Sequence, residues 1–409
     1  MSDAFEILKE KGQQQVLRFQ EELSEAELAV LKSQIENVDF EMIEAAMSGV
    51  VRDSNDVIEP SPVMTVNKID QERETYRQIG YESLRKGELA AVILAGGQGS
   101  RLGHNGPKGT LNVGISKTKY IFEFLLENAC RNTEAAGADP MHVYLMTSDV
   151  NHEETVTFFE KNEFFGYPRE KVHFFRQDMA PALSMDGKML LGSKYELSLA
   201  PNGNGGWFRT MQRAGLVDEM KQLGIKWLNV VSVDNILQDI GDPVFLGGCI
   251  KTGNFSGAKV VCKVTPDEKV GANCLRNGHP SVVEYSELSD EMKKARFEDG
   301  TYCYGYGVTL NYLFNVEETQ AKAQGNLPVH KAIKKITCLD EAGDLIIPET
   351  PNAIKMEYFI FDILEFFDSC LFYECVREDE FAPIKNKTGV DSLDTARELY
   401  LKKYGQSAL

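Results

Sequence analysis

The sequence predicts an α/β fold built on a mostly parallel sheet flanked by helices. Three observations carry that expectation. Short apolar runs recur along the chain and each stops at polar residues: "LAAVIL" ending at "AGG", "MHVYLMTS" (141–148), "KVHFFRQ" (171–177), "KWLNVVSVDN" (226–235) and "AKVVCKV" (258–264). Helical spacing of apolar residues lies between several of them, as in "YIFEFLLENACRNTEAAG" (120–137). The first run gives way to a turn unusually rich in glycine. Buried strands alternating with helices form parallel sheets covered on both sides. Ligands in such sheets sit beyond the C-terminal strand ends.

The elements follow in order. Residues 3–50 read as helical, with Ser24 and Glu27 spaced as a capping box. "DSNDVIEPSPVMTV" (53–66) reads as a connection into a new unit. We expect a helical N-terminal region over 1–86, a main domain over 87–375 and a short C-terminal segment over 376–409. The length of 409 residues supports more than one domain. No repeat and no low-complexity segment is evident.

Composition excludes several classes of function. The net charge of −18 leaves no general basic surface for nucleic acid. No apolar run approaches the roughly 20 residues that span a membrane, and the N-terminus lacks the pattern of a secretory signal. Eight cysteines without a C-x-x-C pair read as reduced thiols in a cytoplasmic protein, and the six scattered histidines form no metal-ligand cluster.

In so acidic a chain, Arg101 and Lys108 within "ILAGGQGSRLGHNGPKGT" (93–110) are conspicuous. A glycine-rich turn after a strand exposes backbone N–H groups to phosphate. The dinucleotide fingerprint G-x-G-x-x-G fits Gly97 and Gly99 but fails at Leu102, which argues against an NAD-dependent dehydrogenase. The Walker A loop fails because Lys108 lies between Pro107 and Gly109. An ordinary glycine-rich strand-to-helix turn is the plain alternative.

"LAGGQGSRLG" followed by "PKG" resembles the signature of sugar-nucleotide pyrophosphorylases. From about residue 15 to about residue 390 the chain is similar to the UDP-sugar pyrophosphorylase family, and most like its eukaryotic-type UDP-N-acetylhexosamine members. That resemblance implies a Rossmann-like nucleotidyltransferase fold of the GT-A-like kind. It implies transfer of uridylate from UTP to a sugar 1-phosphate, giving a UDP-sugar and pyrophosphate with Mg²⁺ assistance. The attacking phosphate oxygen is already ionised near neutral pH, so no general base is needed, and positioning and charge neutralisation remain for the protein to supply.

The resemblance also implies roles for particular residues. Leu94, Ala95, Gly96, Gly97 and Gly99 fall on the phosphate-cradling loop, with Arg101 and Lys108 neutralising the pyrophosphate side. Gln177 in "FFRQDMAPALSMDGK" falls where an amide reads uracil. In "LAPNGNGG", Gly203 falls near the uridine and Asn204 faces the sugar. Asp234 in "VSVDNIL" falls beside nucleotide and metal. Gly271, Glu284 and Tyr285 match sugar-site segments, and Lys355 and Lys385 approach the phosphates. Taken singly, each has a plain reading: Gln177 as a surface amide, Asp234-Asn235 as a helix cap, Glu284 as a solvated strand face, "NGNGG" as a loop and the two lysines as solvent lysines.

The chain departs from the family at one place. Where the N-acetylhexosamine enzymes carry N-x-G-N, this chain has Gly305 and Val308 in "YGYGVTLNYLF". Valine cannot bond a sugar hydroxyl, and an unpartnered buried hydroxyl costs about 1–3 kcal/mol. N-acetylglucosamine 1-phosphate follows from the overall similarity, and glucose or galactose 1-phosphate from Val308. A catalytically silent UDP-sugar-binding protein is the alternative from another class. The chain ends soon after "REDEFAPIKN", so the family's larger C-terminal domain is expected to be mostly missing, and monomer and dimer both remain open.

Overall fold

The run Leu89-Ala-Ala-Val-Ile-Leu94 is buried at every position, as expected of a strand covered on both faces. The computed structural model describes residues 4–48, 56–323, 327–405 and 409. The outer ends of two expectations, residues 3 and 49–50 of the helical region and 53–55 of the connection, lie outside the described residues. Ten described strands form one sheet: β1 (Ile58–Pro60), β2 (Leu89–Leu94), β3 (His142–Thr147), β4 (Val172–Arg176), β5 (Trp227–Ser232), β6 (Ser256–Cys262), β7 (Ala272–Arg276), β8 (His279–Val283), β9 (Tyr306–Asn315) and β10 (Leu371–Glu374). The helices used below are α1 (Ala4–Glu10), α2 (Glu25–Glu36), α3 (Phe40–Met47), α4 (Val66–Arg85), α5 (Ile121–Ala136), α6 (Pro243–Thr252), α7 (Arg377–Glu380) and α8 (Leu393–Tyr404).

Two compact units share the chain, and their cores divide it elsewhere than at 86 and 375. The smaller holds Met1–Asn55, Gln177–Gly206 and Asn326–Ile360; the larger holds Asp56–Arg176, Trp207–Gly325 and Phe361–Leu409. The reason is shared burial. Leu8, Leu31, Ile35 and Met42 from α1, α2 and α3 pack in one cluster with Leu183, Leu191, Ile354 and Met356, which are far away in sequence. The capping box at α2 forms as expected: Ser24 N–H donates to Glu27 Oε2 at 2.8 Å, and Glu27 N–H to Ser24 Oγ at 3.4 Å.

In the larger unit the sheet runs β1-β7-β9-β5-β2-β3-β4, with β8 beside β7, and with β6 joining β9 to β10. The five apolar runs are β2, β3, β4, β5 and β6. The strands β5, β2, β3 and β4 pair in parallel, as do β6 and β10, while β9 runs antiparallel to both β5 and β6. Alternate residues face opposite sides. Ala91, Ile93, Val143 and Val231 enter one core with Phe124 of α5 and Val244 of α6. On the other face Trp207 packs against Phe314 of β9, the rings tilted by 39° with centroids 5.8 Å apart. Leu94 of β2 is in register with Met146 of β3 and Ser232 of β5. The chain therefore leaves β2 and β5 at the same edge of the sheet, and residues 95–110 and 233–235 emerge side by side.

Helices α4 and α6 cross closely. A Cβ on Gly80 would lie 1.9 Å from the carbonyl oxygen of Pro243, and one on Gly247 would lie 1.8 Å from that of Tyr76. Only glycine permits this approach. Helix propensity alone predicts that Gly80→Ala stabilises α4 by about 1 kcal/mol. The steric contact predicts the opposite sign, a loss of about 1–3 kcal/mol. A lower Tm for Gly80→Ala is expected, and a higher one would show that the crossing is not constrained there.

Candidate active site

The loop after β2 is closed by its own backbone. Gly99 N–H donates to Gly106 O (3.0 Å), His104 N–H to Gly99 O (3.2 Å) and Lys108 N–H to Gly97 O (3.1 Å). Asn151 Nδ2 holds the carbonyls of Ala95 (2.9 Å) and Gly97 (3.4 Å). The His104 ring meets Thr110 Oγ1 at 2.7 Å, and Thr110 Oγ1 donates to Pro107 O at 2.8 Å. Gly99 is needed because a Cβ there would lie 2.8 Å from the His104 side chain. These bonds use up the amides of Gly99, His104 and Lys108. The amides of Gly96 and Gly97 have no partner among the described residues, and a Cβ on Gly97 would meet open space. Leu94 and Ala95 are buried and anchor the loop to the sheet. Arg101 is exposed and makes no ion pair among the described residues.

Asp234 stands opposite this loop. Lys108 Nζ lies 3.3 Å from Asp234 Oδ2, with both side chains mostly buried, and Ser232 Oγ donates to Asp234 Oδ1 at 2.7 Å. Burial pushes the Asp234 carboxyl up, but Lys108, then Lys385 and the Ser232 hydroxyl outweigh it and hold the group below its usual range. Asp234 is thus an anion at neutral pH. It is not a helix cap: residues 233–235 form a turn, and the next helix, α6, is capped by Asp242, whose Oδ1 accepts from Val244 N–H at 2.8 Å.

Lys385 arrives from the C-terminal part of the chain. Asn235 and Pro383 form an antiparallel bridge. Ile384 N–H donates to Asp234 O (2.8 Å), Ala382 N–H to Asn235 Oδ1 (3.0 Å) and Asn235 Nδ2 to Glu380 O (2.7 Å). Lys385 Nζ sits 3.8 Å from Asp391 Oδ2 and is partly exposed. Three cations, Lys108, Lys385 and Arg101, thus belong to segments that converge on one carboxylate and a pair of free amides.

The residues of the larger unit expected at the sugar also include a cluster. Val308 N–H donates to Gly271 O at 3.0 Å, and a Cβ on Gly271 would lie 3.7 Å from Glu284 Oε1. Glu284 follows β8 rather than lying on a strand face and is half-buried. Tyr285 is exposed.

The smaller unit holds the other four. Gln177 is buried, so it is not a surface amide. Asp178 O, next to it, accepts from Asn202 N–H at 3.2 Å, which brings Gln177 near Gly203. Gly203 has φ 87°, and a Cβ there would lie 2.3 Å from Tyr358 O, so the "NGNGG" turn is pressed onto the segment after Lys355. Asn204 Oδ1 accepts from Ile360 N–H at 3.0 Å. Lys355, on the strand Ala353–Glu357, pairs with Glu357 at 2.8 Å and is not a free solvent lysine.

The sequence reading missed Ser232, Asn151 and Asn235, which orient the site without resembling chemistry. It also missed a buried cluster behind the site. Carboxylates of Asp239, Asp242 and Glu380 lie within 4.8 Å of one another, a spacing that suits a metal ion. The ammonium of Lys259, 1% exposed, already fills the cluster, 2.8 Å from Asp242 Oδ2 and 2.6 Å from Glu380 Oε2. Burial pushes the Glu380 carboxyl up to about 7, more than Lys259 pulls it down.

An ionised carboxylate among lysines, at the C-terminal strand edge beside a loop with free amides, defines a nucleotide-phosphate-transferring class of α/β enzyme. The family model described as UTP--glucose-1-phosphate uridylyltransferase matches residues 29–408, and this chain belongs to that family of nucleotidyltransferases. It is 36% identical to UDP-N-acetylhexosamine pyrophosphorylase-like protein 1 of Xenopus tropicalis, over 94% of this chain and 79% of that protein. It is 32% identical to the UDP-N-acetylglucosamine pyrophosphorylase of Saccharomyces cerevisiae, over 98% of this chain and 90% of that one. The crystal structure of the uridine diphosphate N-acetylglucosamine pyrophosphorylase of Trypanosoma brucei, with an inhibitor, superposes with a TM-score of 0.85 at 29% identity, covering 98% of this chain and 85% of that chain. Among the described residues no helix is long and apolar enough to cross a membrane.

The raised carboxyl of Glu380 gives a pH prediction. Its native value, about 7, lies above the ordinary 4.5, so the native state holds the proton more tightly than the unfolded chain does. The associated stability is fully present below about 4.5 and is lost as pH rises through about 7. Glu380→Gln carries no titrating proton and escapes that loss. Its Tm relative to the natural protein is expected to rise between about pH 6 and about pH 8. A constant difference across that range, measured by calorimetry, would assign the proton elsewhere.

Proposed function

We propose that this protein joins UTP to N-acetylglucosamine 1-phosphate, releasing pyrophosphate and forming the UDP-sugar. The observation that carries the reading is the pairing of Lys108 with an ionised Asp234 beside the unpartnered amides of Gly96 and Gly97. Those amides suit phosphate oxygens. A phosphate oxygen of the sugar phosphate attacks the α-phosphorus of UTP, and the bond to the departing pyrophosphate breaks in line. Negative charge grows on the equatorial oxygens and the leaving group. Lys108 and Arg101 neutralise the pyrophosphate side. Lys385 holds the sugar phosphate. Asp234 holds the Lys108 ammonium beside the loop by a 3.3 Å ion pair.

The Asp234 carboxylate is anionic and offers hard oxygen donors, so it fits a magnesium ion, which is held by one or two carboxylates and the substrate's phosphates. When bound there, Mg²⁺ would supply further neutralisation of phosphate charge. Gln177 is proposed to read uracil, Gly203 to admit the uridine closely, Asn204 to offer its Nδ2 to the sugar, and Lys355 to approach the phosphates. Gly271, Glu284 and Tyr285 are proposed for the sugar. All eight cysteines are free, which supports a reducing, cytoplasmic setting.

A second reading rests on Val308. Its amide is spent on Gly271 O and its side chain offers no polar atom. Glucose 1-phosphate or galactose 1-phosphate, which lack the acetamido group, follow from that.

Purified protein with UTP, Mg²⁺ and a panel of sugar 1-phosphates is expected to release pyrophosphate fastest with the N-acetylglucosamine compound. UDP-sugar binding without turnover on any of them would instead make this a silent binding protein. Lys108→Ala is expected to lower kcat/KM by about a hundredfold or more while the fold survives; near-normal kinetics would remove Lys108 from the site. Val308→Asn adds an amide at the sugar cluster. It is expected to raise the preference for the amino sugar over glucose 1-phosphate by about tenfold, and an unchanged ratio would place sugar choice in other residues.

A further inference from the structure

The buried Lys259 cluster has no place in the reaction just described, yet it sits directly behind the segment that delivers Lys385. Lys259 is on β6, deep in the sheet. Its ammonium is held at the sheet side by Asp242, the cap of α6, and at the C-terminal side by Glu380, the last residue of α7. Glu380 is gripped twice. Its side chain meets Lys259, and its carbonyl accepts from Asn235 Nδ2. Three bonds follow along the next residues: Ala382 N–H to Asn235 Oδ1, Ile384 N–H to Asp234 O and Lys385 N–H to Asp391 O. Residues 380–385 are therefore stitched to the turn that carries Asp234; Ala382 and Ile384 are buried in the main core and Phe381 packs with Val261, while Glu380 is the charged residue of that stretch whose carboxyl is fastened to a buried ammonium.

We infer that Glu380, through Lys259, is a positioning residue that holds the 380–385 segment against Asp234-Asn235 and thereby sets where the Lys385 ammonium meets the substrate phosphate. This rests on the reading of Lys385 as a phosphate-binding lysine. The geometry is what an exposed lysine requires. The Lys385 ammonium lies 3.8 Å from Asp391 and 5.7 Å from the centre of the Phe381 ring, both in its own C-terminal segment, so the backbone of that segment must be placed by neighbours. Small displacements of a group that contacts the reacting phosphates are costly in rate. A bond to the buried ammonium needs an oxygen acceptor at that reach, which both a carboxylate and a carboxamide provide. A methyl group does not.

Two measurements test it. Hydrogen exchange on the substrate-free protein reads the amides of Ala382, Ile384 and Lys385 directly. Glu380→Ala is expected to speed their exchange by about tenfold or more, whereas Glu380→Gln, which keeps an oxygen at the same reach, is expected to restore slow exchange. Glu380→Asp, a milder change with a shorter reach, is expected to fall between and covers the case in which the alanine variant folds poorly. Wild-type exchange rates in both Glu380→Ala and Glu380→Asp would overturn the proposal. The second measurement is a double-mutant cycle. Glu380→Ala is expected to lower kcat/KM by about tenfold when Lys385 is present and by less than about twofold in a Lys385→Ala background. Equal losses in both backgrounds would mean that Glu380 acts otherwise than through Lys385, and would also overturn it. Wild-type protein that forms no UDP-sugar defeats the uridylyltransferase reading instead, and the exchange rates still decide whether Glu380 holds the segment.

Discussion

Everything at this site depends on keeping positive charge next to an ionised Asp234. The chain carries a net charge of −18, so its overall field repels a nucleoside triphosphate. Local concentration of cations must overcome that. Lysines gathered without an anion would repel one another and fray. Asp234 solves the problem by pairing with Lys108 at 3.3 Å and by drawing on Lys385. Its own charge is secured by those lysines, with a hydrogen bond from Ser232 beside them. The parallel register of β2 with β5 then does the rest, since it brings the glycine loop and the Asp234 turn out of the sheet at one edge.

The arrangement separates two tasks. The loop amides and the lysines are proposed to act on phosphates, which every nucleoside triphosphate and sugar phosphate presents. The cluster of Gly271, Glu284 and Val308 belongs to another part of the sheet, at β7 to β9, and is the part proposed for the sugar. A change such as Val308 in place of asparagine can alter the second without disturbing the first. Backbone pairing at that point is kept, because Val308 still donates to Gly271 O. Only the side-chain chemistry differs.

Much of this was legible in the sequence, for identifiable reasons. Strands β2 to β6 were readable because each is a short run dominated by apolar residues that stops at polar ones, most completely in β2, which is buried throughout. The loop bearing Gly97, Gly99, Arg101 and Lys108 was readable as a closed glycine-rich turn after β2 because its residues are contiguous in the chain. The division into two units was not readable, since the smaller one is assembled from three separated stretches joined by shared burial and by hydrogen bonds between residues far apart in the chain. The capping roles were half readable. Ser24 and Glu27 announce themselves by spacing, whereas Asp234-Asn235 has the composition of a cap and serves instead to receive a strap.

Lys259 was the least readable residue of all, and the reason is physical. In "AKVVCKV" it looks like a polar break in a strand, a residue that alternation assigns to solvent. It is buried because its partners come from elsewhere: Asp242 from the start of α6 and Glu380 from the C-terminal part of the chain. A buried ammonium is tolerable only when its bonds are satisfied, and no local pattern records a satisfaction supplied across more than a hundred residues. The same fact makes such a lysine informative once its surroundings are seen. Removing one partner leaves the rest of the cluster with uncompensated charge, so the elements that supply the partners are held in one arrangement. Here those elements are the sheet, the cap of α6 and the segment that bears Lys385. The charge cluster that a sequence reader discards as a strand defect is what ties the far end of the chain to Asp234.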